Sequence, residues 1–491
     1  MSFVNTTPEQ VGISSRQVLR YLKRLENVKF PIHSLIMARG NHIFAEYYWK
    51  PFHKDFCHRM YSQTKSYVGI AIGELAKRGK LSLDDKIIDY FPDKLPEEVH
   101  PFWKEQTIRH MLTMHTCTDG GSWFVPTCTD RLKTYFASTP RRYPGTVFCY
   151  DSSGSFVLGA LVERLTGKTF LEYLREICLD EIGFSKEAYH LYCPGGEAWA
   201  DSALLCKPRD MALFCRLLAN GGEWNGKQLL DPDNVKEATS KQVDNNYFGV
   251  NTFKGLGYGH QIWMSDDGAF AFQGMHGEHT IYHPKSDILI TVTGSYAENY
   301  AQMICEHIYR GFFEDIAFTA DTLPLNDTDY RELADYTADL SLFALDGESH
   351  SALENELNNV VFKAEPNGPR ITEFSFTFDG DSGVFHYENA QGKKDLRFGL
   401  CHNEFQPFPQ TGYSKETGNV PCPGHTYNCA VSAVWRQPNK LALYVQAIDE
   451  YFGSLEMEFA FNGDYATVNM IHTAEAFFTE YWGQFVAKKE N

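Results

Sequence analysis

Two hydrophobic patterns divide the chain. Up to about residue 315, segments with apolar residues three and four apart, which predict helices, alternate with short apolar runs typical of strands. From residue 316 onward, segments such as ITEFSFTFDG and LEMEFAFNGD alternate apolar and polar residues and run into Asp-Gly or Asn-Gly turns. This second pattern predicts antiparallel strands joined by tight turns. We therefore expect two domains, residues 1–315 and residues 316–491.

The first domain is predicted to mix helices with one sheet. SSRQVLRYLKRL indicates an amphipathic helix with a serine cap, and SLIMARGNHIFAEYYW indicates a hairpin that turns at residues 39–41. A further helix runs from about Ser62 to Arg78 and ends at Gly79. Four short strands follow between residues 256 and 296. The hairpin and these late strands together predict an α/β (α+β) domain, and the second domain is predicted to be a β-barrel or a β-sandwich.

Composition and charge narrow the possible functions. The 491 residues are 43% hydrophobic and 22% charged, as in ordinary globular proteins, and the net charge is −18. A spread negative charge disfavours nucleic acids and anionic membranes as partners, because phosphates require clustered Lys and Arg. No apolar run approaches the ~20 residues of a membrane span. The N-terminal stretch MSFVNTTPEQVGIS does not resemble a signal peptide, and the 12 cysteines lack a zinc-site spacing. We expect a cytoplasmic protein without a bound metal.

A Ser-x-x-Lys pair, Ser62 and Lys65, stands at the start of the long predicted helix. Residues three apart share one helix face, so the lysine ammonium can reach the serine hydroxyl. A serine hydroxyl becomes a strong nucleophile only when a base takes its proton, and a lysine is such a base only where burial or another cation lowers its pKa. The alternative is an ordinary helix turn, since this pattern arises by chance about once in a chain of this length.

Two more segments carry candidate chemistry. Tyr150 and Ser152 follow an extended run and precede a helix, where a phenol and a hydroxyl can face a cleft. The alternative is a core tyrosine followed by a serine N-cap. The glycine-rich segment FQGMHGEHTIYHPKSD enters a strand, and its backbone N–H groups can supply half of an oxyanion hole. The alternative there is a β-bulge in an edge strand.

Several segments in one order resemble the penicillin-recognising serine hydrolases, the family related to class C β-lactamases. This family includes β-lactamases, D,D-peptidases, D-aminopeptidases, esterases and linear-amide hydrolases. The resemblance covers residues 8–315. It rests on RGKLSLDDKIIDYFPD, TIRHMLTMHTCTDG, YPGTVFCYDSSGSFVLGALVERLTGKTFLEYL, KPRDMALFCRLLANGGEWNGKQLL and GLGYGHQIWM, in addition to the Ser-x-x-Lys pair. It implies an antiparallel sheet flanked by helices, with a mostly helical subdomain and a cleft between them.

The resemblance implies roles for the candidate residues. Ser62 would be the acylated nucleophile at a helix N-terminus, and Lys65 would hold or take its proton. Tyr150 would be the second acid/base, which passes the proton to the leaving group. Ser152 stands where the family usually carries Asn. No organic cofactor or metal is implied.

The third motif of the family, Lys-Thr-Gly or His-Thr-Gly, is altered here. Counting back from Pro284 places Gly274 on the motif's glycine, with Phe272 in place of the cation and Gln273 in place of Thr. The N–H of Met275 would then complete the oxyanion hole together with the N–H of the nucleophile. A phenyl ring at the position of a cation favours an uncharged or apolar acyl group and disfavours β-lactams and D,D-carboxypeptidase substrates.

Two further segments have alternative interpretations. The stretch GMHGEH resembles the branch that hydrolyses amides and esters, and within it His276 either contacts substrate or only packs. Glu278 and His279 are weaker candidates. Cys117-Thr118 replaces the family's Ser-Gly, and Trp123 and Phe124 after it either line an apolar pocket or close over a loop.

We therefore expect a serine hydrolase that forms an acyl-enzyme on Ser62 and cleaves an ester or amide with a small, uncharged or apolar acyl group. Two alternatives remain open. The same acyl-enzyme can transfer its acyl group to an alcohol or amine, or the fold can serve a non-catalytic binding protein. The β domain either shapes the cleft or mediates dimerisation, so a homo-oligomer is also left open.

Overall fold

The computed structural model describes residues 2–118, 127–245, 257–296, 305–415, 421–474 and 477–490. The chain divides into two compact units, Met1–Ser341 and Leu342–Asn491. The division lies later than the boundary predicted after residue 315, because the helix Asp327–Ala338 packs on the helix Ser15–Asn27. Leu333 of the later helix joins the hydrophobic core of the first unit.

A seven-stranded sheet forms the centre of the first unit. Its strands are antiparallel apart from the short first strand, which pairs in parallel with its neighbour. The predicted hairpin and the late strands join where Met37 pairs with Ile290, which confirms the predicted sheet. In spatial order the strands are Val4–Asn5, His42–Tyr48, Ile32–Arg39, Ile288–Gly294, Glu278–His283, Phe270–Gly274 and Trp263–Met264.

Helices pack around this sheet. The first helix begins at the predicted serine cap, where Ser14 accepts a hydrogen bond from the N–H of Gln17, and it buries one apolar stripe. The helix Thr64–Lys77 is buried along almost its whole length, as expected of a helix in the interior of the unit. The α-helices of the first unit, in the part that the structure describes, are Ser15–Asn27, Thr64–Lys77, Ile108–Leu112, Arg131–Ala137, Ser152–Thr166, Phe170–Leu174, Pro208–Ala219, Pro232–Ala238, Gly311–Asp315 and Asp327–Ala338.

Short strands complete the first unit. His58–Arg59, Leu204–Cys206 and Tyr189–His190 form a three-stranded sheet, in which the first strand leads directly into the turn that carries Ser62. Glu223–Trp224 and Lys227–Gln228 form a separate hairpin. No helix in the described ranges combines the length and apolar character that a membrane crossing requires.

The second unit is a closed β-barrel. The strand Gly392–Leu400 pairs in parallel with Asn428–Gln437, and this pairing closes a ring of nine strands. Closure leaves no open edge within the ring, and phenylalanine side chains such as Phe374, Phe376 and Phe459 fill the interior. The sequence left barrel and sandwich open, and the structure selects the barrel. Its strands are Phe362–Ala364, Glu373–Asp379, Ser382–Asn389, Gly392–Leu400, Asn428–Gln437, Lys440–Ile448, Phe452–Asn462, Tyr465–Ala474 and Gly483–Lys489, with Glu404–Pro407 added outside the ring and a short helix, Glu354–Leu357.

Candidate active site

The predicted nucleophile and its lysine lie together. Ser62 is in the turn Tyr61–Gln63 immediately before the helix Thr64–Lys77, and it is half-buried. The Nζ atom of Lys65 donates to Ser62 Oγ at 2.9 Å and to the carbonyl oxygen of Asp201 at 2.7 Å. The lysine is only 1% exposed. The helix geometry therefore places an anchored amine in hydrogen-bond contact with a serine hydroxyl, as expected for an activated nucleophile.

The turn that presents Ser62 is tightly constrained. Tyr61 has φ +46°, in the left-handed region that side-chain-bearing residues rarely adopt. The guanidinium carbon of Arg59 lies 4.4 Å from the centroid of the Tyr61 ring, and the His276 ring lies 5.0 Å away. These contacts hold a strained residue directly before the nucleophile, a placement that is common at catalytic turns.

Tyr150 lies beside the lysine. Lys65 Nζ is 5.1 Å from the centroid of the Tyr150 ring, and this ring stacks on Trp263 at 5.7 Å and 22°. Asp151, rather than Ser152, caps the helix that follows, because its Oδ1 accepts from the N–H of Gly154 at 3.0 Å. Ser152 is the first, half-buried residue of that helix. Burial raises the pKa of the Asp151 carboxyl to about 6. The serine N-cap considered from the sequence is therefore wrong by one residue.

The altered third motif lies at the end of the strand Phe270–Gly274. Phe272 is fully buried and packs near Tyr67 and Phe214, with ring centroids 6.4 and 5.9 Å away. Its ring thus belongs to the core between sheet and helices. A Cβ atom on Gly274 would lie 2.4 Å from the carbonyl oxygen of Met60. Only glycine permits so close an approach of this strand to the turn that carries the nucleophile.

Met275 and His276 belong to the short turn that joins this strand to Glu278–His283. Met275 is half-buried. His276 is 4% exposed, and its Nδ1 lies 3.0 Å from the carbonyl oxygen of Tyr296. Burial lowers the pKa of His276 to about 4, so the ring is neutral near pH 7. These contacts favour the packing interpretation of His276 over contact with substrate.

Trp123 and Phe124 lie outside the described residues. The loop before them is fastened from two sides. The N–H of Cys117 donates to Gln106 Oε1 at 2.7 Å, and Arg142 donates to the carbonyl oxygens of Thr116 and Thr118 at 2.8 and 2.6 Å.

A buried polar cluster behind the site includes one of the weaker sequence candidates. His33 Nδ1 lies 2.7 Å from His58 Nε2, and His58 Nδ1 lies 3.4 Å from the carboxyl of Glu278, which also accepts from the N–H of Gly294. Burial raises the pKa of Glu278 well above its ordinary value and lowers the pKa of His58 to about 3. His58 is therefore neutral at pH 7, so its contact with Glu278 connects two strands and is not an ion pair.

Sequence reasoning missed Asp201, Arg131 and Arg59, which surround the lysine and the turn. No local pattern marks them, because a backbone carbonyl carries no residue signature and the partners are distant in sequence. Within the described ranges, no group of three or more His, Cys, Asp or Glu side chains is arranged to hold a metal ion.

Comparisons with known proteins identify similar proteins. The family model described as Beta-lactamase matches residues 24–299, more than half of the chain. The 6-aminohexanoate-dimer hydrolase of Paenarthrobacter ureafaciens is 24% identical over 285 residues, which cover 54% of this chain and 73% of that protein. A putative 6-aminohexanoate-dimer hydrolase structure from Bacillus anthracis has a TM-score of 0.51 at 20% identity and covers 64% of this chain and 86% of that one. The octameric penicillin-binding protein homologue from Pyrococcus abyssi covers 96% of this chain and 99% of that one, with a TM-score of 0.47 and 16% identity.

Proposed function

The chain belongs to the Beta-lactamase family, and on that premise we propose that it is a serine hydrolase that forms an acyl-enzyme on Ser62. The observation that carries this proposal is the 2.9 Å contact between Lys65 Nζ and Ser62 Oγ, made by a lysine that is almost fully buried. Solvent would separate such a pair at a surface, whereas burial and the contact with the Asp201 carbonyl keep it assembled.

The proposed reaction has two steps. In the first, Ser62 Oγ attacks the substrate carbonyl while Lys65 accepts or holds the hydroxyl proton. The proton then passes through Tyr150 to the leaving alcohol or amine, and the acyl group remains on the serine oxygen. The N–H groups of Ser62 and Met275 are proposed to bind the oxyanion, at the start of a helix whose N–H groups favour negative charge. In the second step, water attacks the ester carbonyl, the bond from the acyl carbon to Ser62 Oγ breaks, and the carboxylic acid leaves as the serine hydroxyl is restored.

The substrate class follows from the altered third motif and from the relatives. Phe272 is fully buried among aromatic rings, so this position supplies no cation to a substrate carboxylate. We propose small esters or linear amides with an uncharged or apolar acyl group. The linear-amide part of this proposal is supported by the similarity to the 6-aminohexanoate-dimer hydrolase of Paenarthrobacter ureafaciens. No separate activity is proposed for the β-barrel, and the homo-oligomer stays a prediction that size-exclusion chromatography with light scattering tests.

A substrate panel tests the proposal. Turnover would be measured on p-nitrophenyl esters of increasing acyl length, neutral anilides, the 6-aminohexanoate dimer and a chromogenic cephalosporin, with Ser62→Ala as the control. We expect turnover of esters and neutral amides, loss of that turnover in the control, and little or no cephalosporin hydrolysis. Preferred cephalosporin hydrolysis would contradict the substrate class. Ester turnover that survives in Ser62→Ala would contradict the assigned nucleophile.

The same panel separates hydrolysis from its two alternatives. Added alcohol or amine acceptors would divert the acyl group if the enzyme is an acyltransferase, and the ratio of ester or amide product to free acid measures this. A folded protein that binds panel compounds without turnover would support the binding-protein alternative.

A further inference from the structure

One loop holds the ammonium group of Lys65. The carbonyl oxygen of Asp201 accepts from Lys65 Nζ at 2.7 Å, in addition to the contact of this amine with Ser62 Oγ at 2.9 Å. The Asp201 side chain is only 1% exposed. Its Oδ1 accepts from Nη1 of Arg131 at 2.7 Å. The residue that supplies the lysine's backbone partner is thus itself fixed by a buried ion pair.

Arg131 connects this loop to the helix that follows Tyr150. The arginine is fully buried, and its guanidinium carbon lies 4.2 Å from the centroid of the Phe156 ring, in the helix Ser152–Thr166. Its Nη1 also lies 3.1 Å from Cys193 Sγ. One guanidinium therefore contacts both the loop that anchors the lysine and the helix that begins beside the proposed second acid/base. Five N–H donors in a rigid plane suit arginine to such a bridge.

A second buried arginine fastens the other side of the same loop. Arg59 Nε donates to the carbonyl oxygen of Ser202 at 3.0 Å, and its guanidinium carbon lies 4.4 Å from the rings of both Tyr61 and Trp199. The loop from Trp199 to Ser202 is therefore held against the nucleophile turn by Arg59 and against the helix after Tyr150 by Arg131.

We propose that Arg131 and Asp201 are positioning residues that place Lys65 for proton transfer from Ser62, and that their mutual neutralisation sets the pH range in which the lysine works. This inference rests on the proposed function. A buried charge whose partner is removed acts on nearby charges through a low-dielectric interior. Loss of Asp201's carboxylate would leave an extra cation near the lysine, and loss of the guanidinium would leave an extra anion.

Other ionisable groups surround the same loop, and the test must separate their effects. Lys65 faces the Ser62 hydroxyl and the Tyr150 ring. The charged or titratable side chains on the packed elements include Arg59, Arg131, Arg142, Asp151, Cys193 and Asp201. Burial raises the pKa of the Asp151 carboxyl to about 6, and the Arg131 cation counters part of that rise, so Arg131→Met also affects Asp151. Asp201→Asn retains this arginine, so its shift of the midpoint reports the loss of the Asp201 carboxylate.

The experiment measures the rate of fluorophosphonate labelling of the full-length protein between pH 5 and 9. The variants are Asp201→Asn, Arg131→Met, the double variant and Arg131→Lys, with folding checked by circular dichroism. We expect the pH midpoint of labelling to move down by about one unit in Asp201→Asn and up by about one unit in Arg131→Met. The double variant restores the wild-type midpoint but labels at least about tenfold more slowly, because Arg131 no longer fastens the loop to the helix after Tyr150. Arg131→Lys keeps the midpoint and labels at an intermediate rate.

Opposite shifts of the midpoint distinguish a charge effect from general destabilisation, which would not change sign between the two variants. If the wild-type protein labels and the variants show the same midpoint and the same rate as the wild type, the inference is overturned. Failure of the wild type to label would instead contradict the proposed function. If the single variants do not fold, the double variant and Arg131→Lys decide, since wild-type labelling rates in both would overturn the positioning role.

Discussion

Replacing Gly274 with alanine tests how closely the strand end must approach the nucleophile turn. The backbone at Gly274 has φ −118° and ψ 157°, which any residue adopts, so the substitution introduces no backbone strain of its own. The substitution is unfavourable only because the added methyl group meets neighbouring atoms. The new Cβ would lie 2.4 Å from the carbonyl oxygen of Met60, 2.9 Å from Glu278 Cβ and 3.2 Å from Tyr61 Cβ.

The size of the effect follows from these distances. Real Cβ atoms essentially never approach closer than 3.0 Å, so the strand end and the turn must separate by about 0.6 Å. Met275, whose N–H is proposed to bind the oxyanion, would move with the strand away from Ser62. Because a misplacement of about 1 Å can cost about 10²-fold in rate, we expect kcat/KM to fall by about 10- to 10²-fold. Overpacking should also cost about 1–3 kcal/mol of stability.

The assay compares kcat/KM for a p-nitrophenyl ester, fluorophosphonate labelling and thermal unfolding in Gly274→Ala and Gly311→Ala. The second variant is the matched control, because its new Cβ at the start of a helix makes only ordinary contacts, with Arg24 Cδ at 3.4 Å, Arg24 Nη1 at 3.7 Å and the carbonyl oxygen of Glu306 at 3.8 Å. The control should keep wild-type activity and equal or greater stability. Wild-type kcat/KM in a folded Gly274→Ala protein would refute the argument that this approach shapes the site.

Three further predictions concern the proton donor, the altered motif and the buried histidines. Tyr150→Phe should slow anilide hydrolysis by about 10²–10⁴-fold but p-nitrophenyl ester hydrolysis much less, because nitrophenolate leaves without a proton; equal losses on both substrates would argue against the proton-transfer role. Phe272→Lys should lower the melting temperature, because it buries an ammonium among aromatic rings, without producing cephalosporin hydrolysis; a stable, cephalosporin-hydrolysing variant would contradict the buried placement. Burial lowers the pKa of His276 and His279 to about 4. Below pH 6.5 the unfolded chain therefore binds more protons than the folded protein, and the free energy of unfolding falls as pH falls, by about 2 kcal/mol for each histidine at pH 5. Burial raises the pKa of Glu278, so this carboxyl makes the folded protein more stable as pH falls, and Glu278→Gln should steepen the loss of stability caused by the histidines. A melting temperature that does not change between pH 7.5 and 5 would contradict this account.

Local patterns in the sequence were sufficient to predict much of the fold and the contact between Ser62 and Lys65. The hairpin around Gly40 and the helix after Ser14 follow from alternation, helical periodicity and a cap, which are properties of neighbouring residues. Ser62 and Lys65 could be placed together because residues three apart share a helix face.

Features that depend on contacts between distant segments could not be predicted. Asp201 and Arg131 lie far apart in sequence, and the lysine contacts a backbone carbonyl that any residue could supply. Phe272 was expected to border the substrate, but its burial depends on which helices cover the strand. The barrel closes through a parallel pairing of Gly399 with Ser432. Apolar and polar residues alternate along the strands of both barrels and sandwiches, so this pattern does not distinguish the two folds.

The most direct test of the central claim is the intact mass of the protein after incubation with a fluorophosphonate, beside a Ser62→Ala control, followed by peptide mapping of the adduct. The account predicts one adduct on the wild type, located on Ser62, and none on the control. A folded wild-type protein without an adduct, or an adduct on another residue that persists in Ser62→Ala, would contradict the assignment of an activated serine at this position.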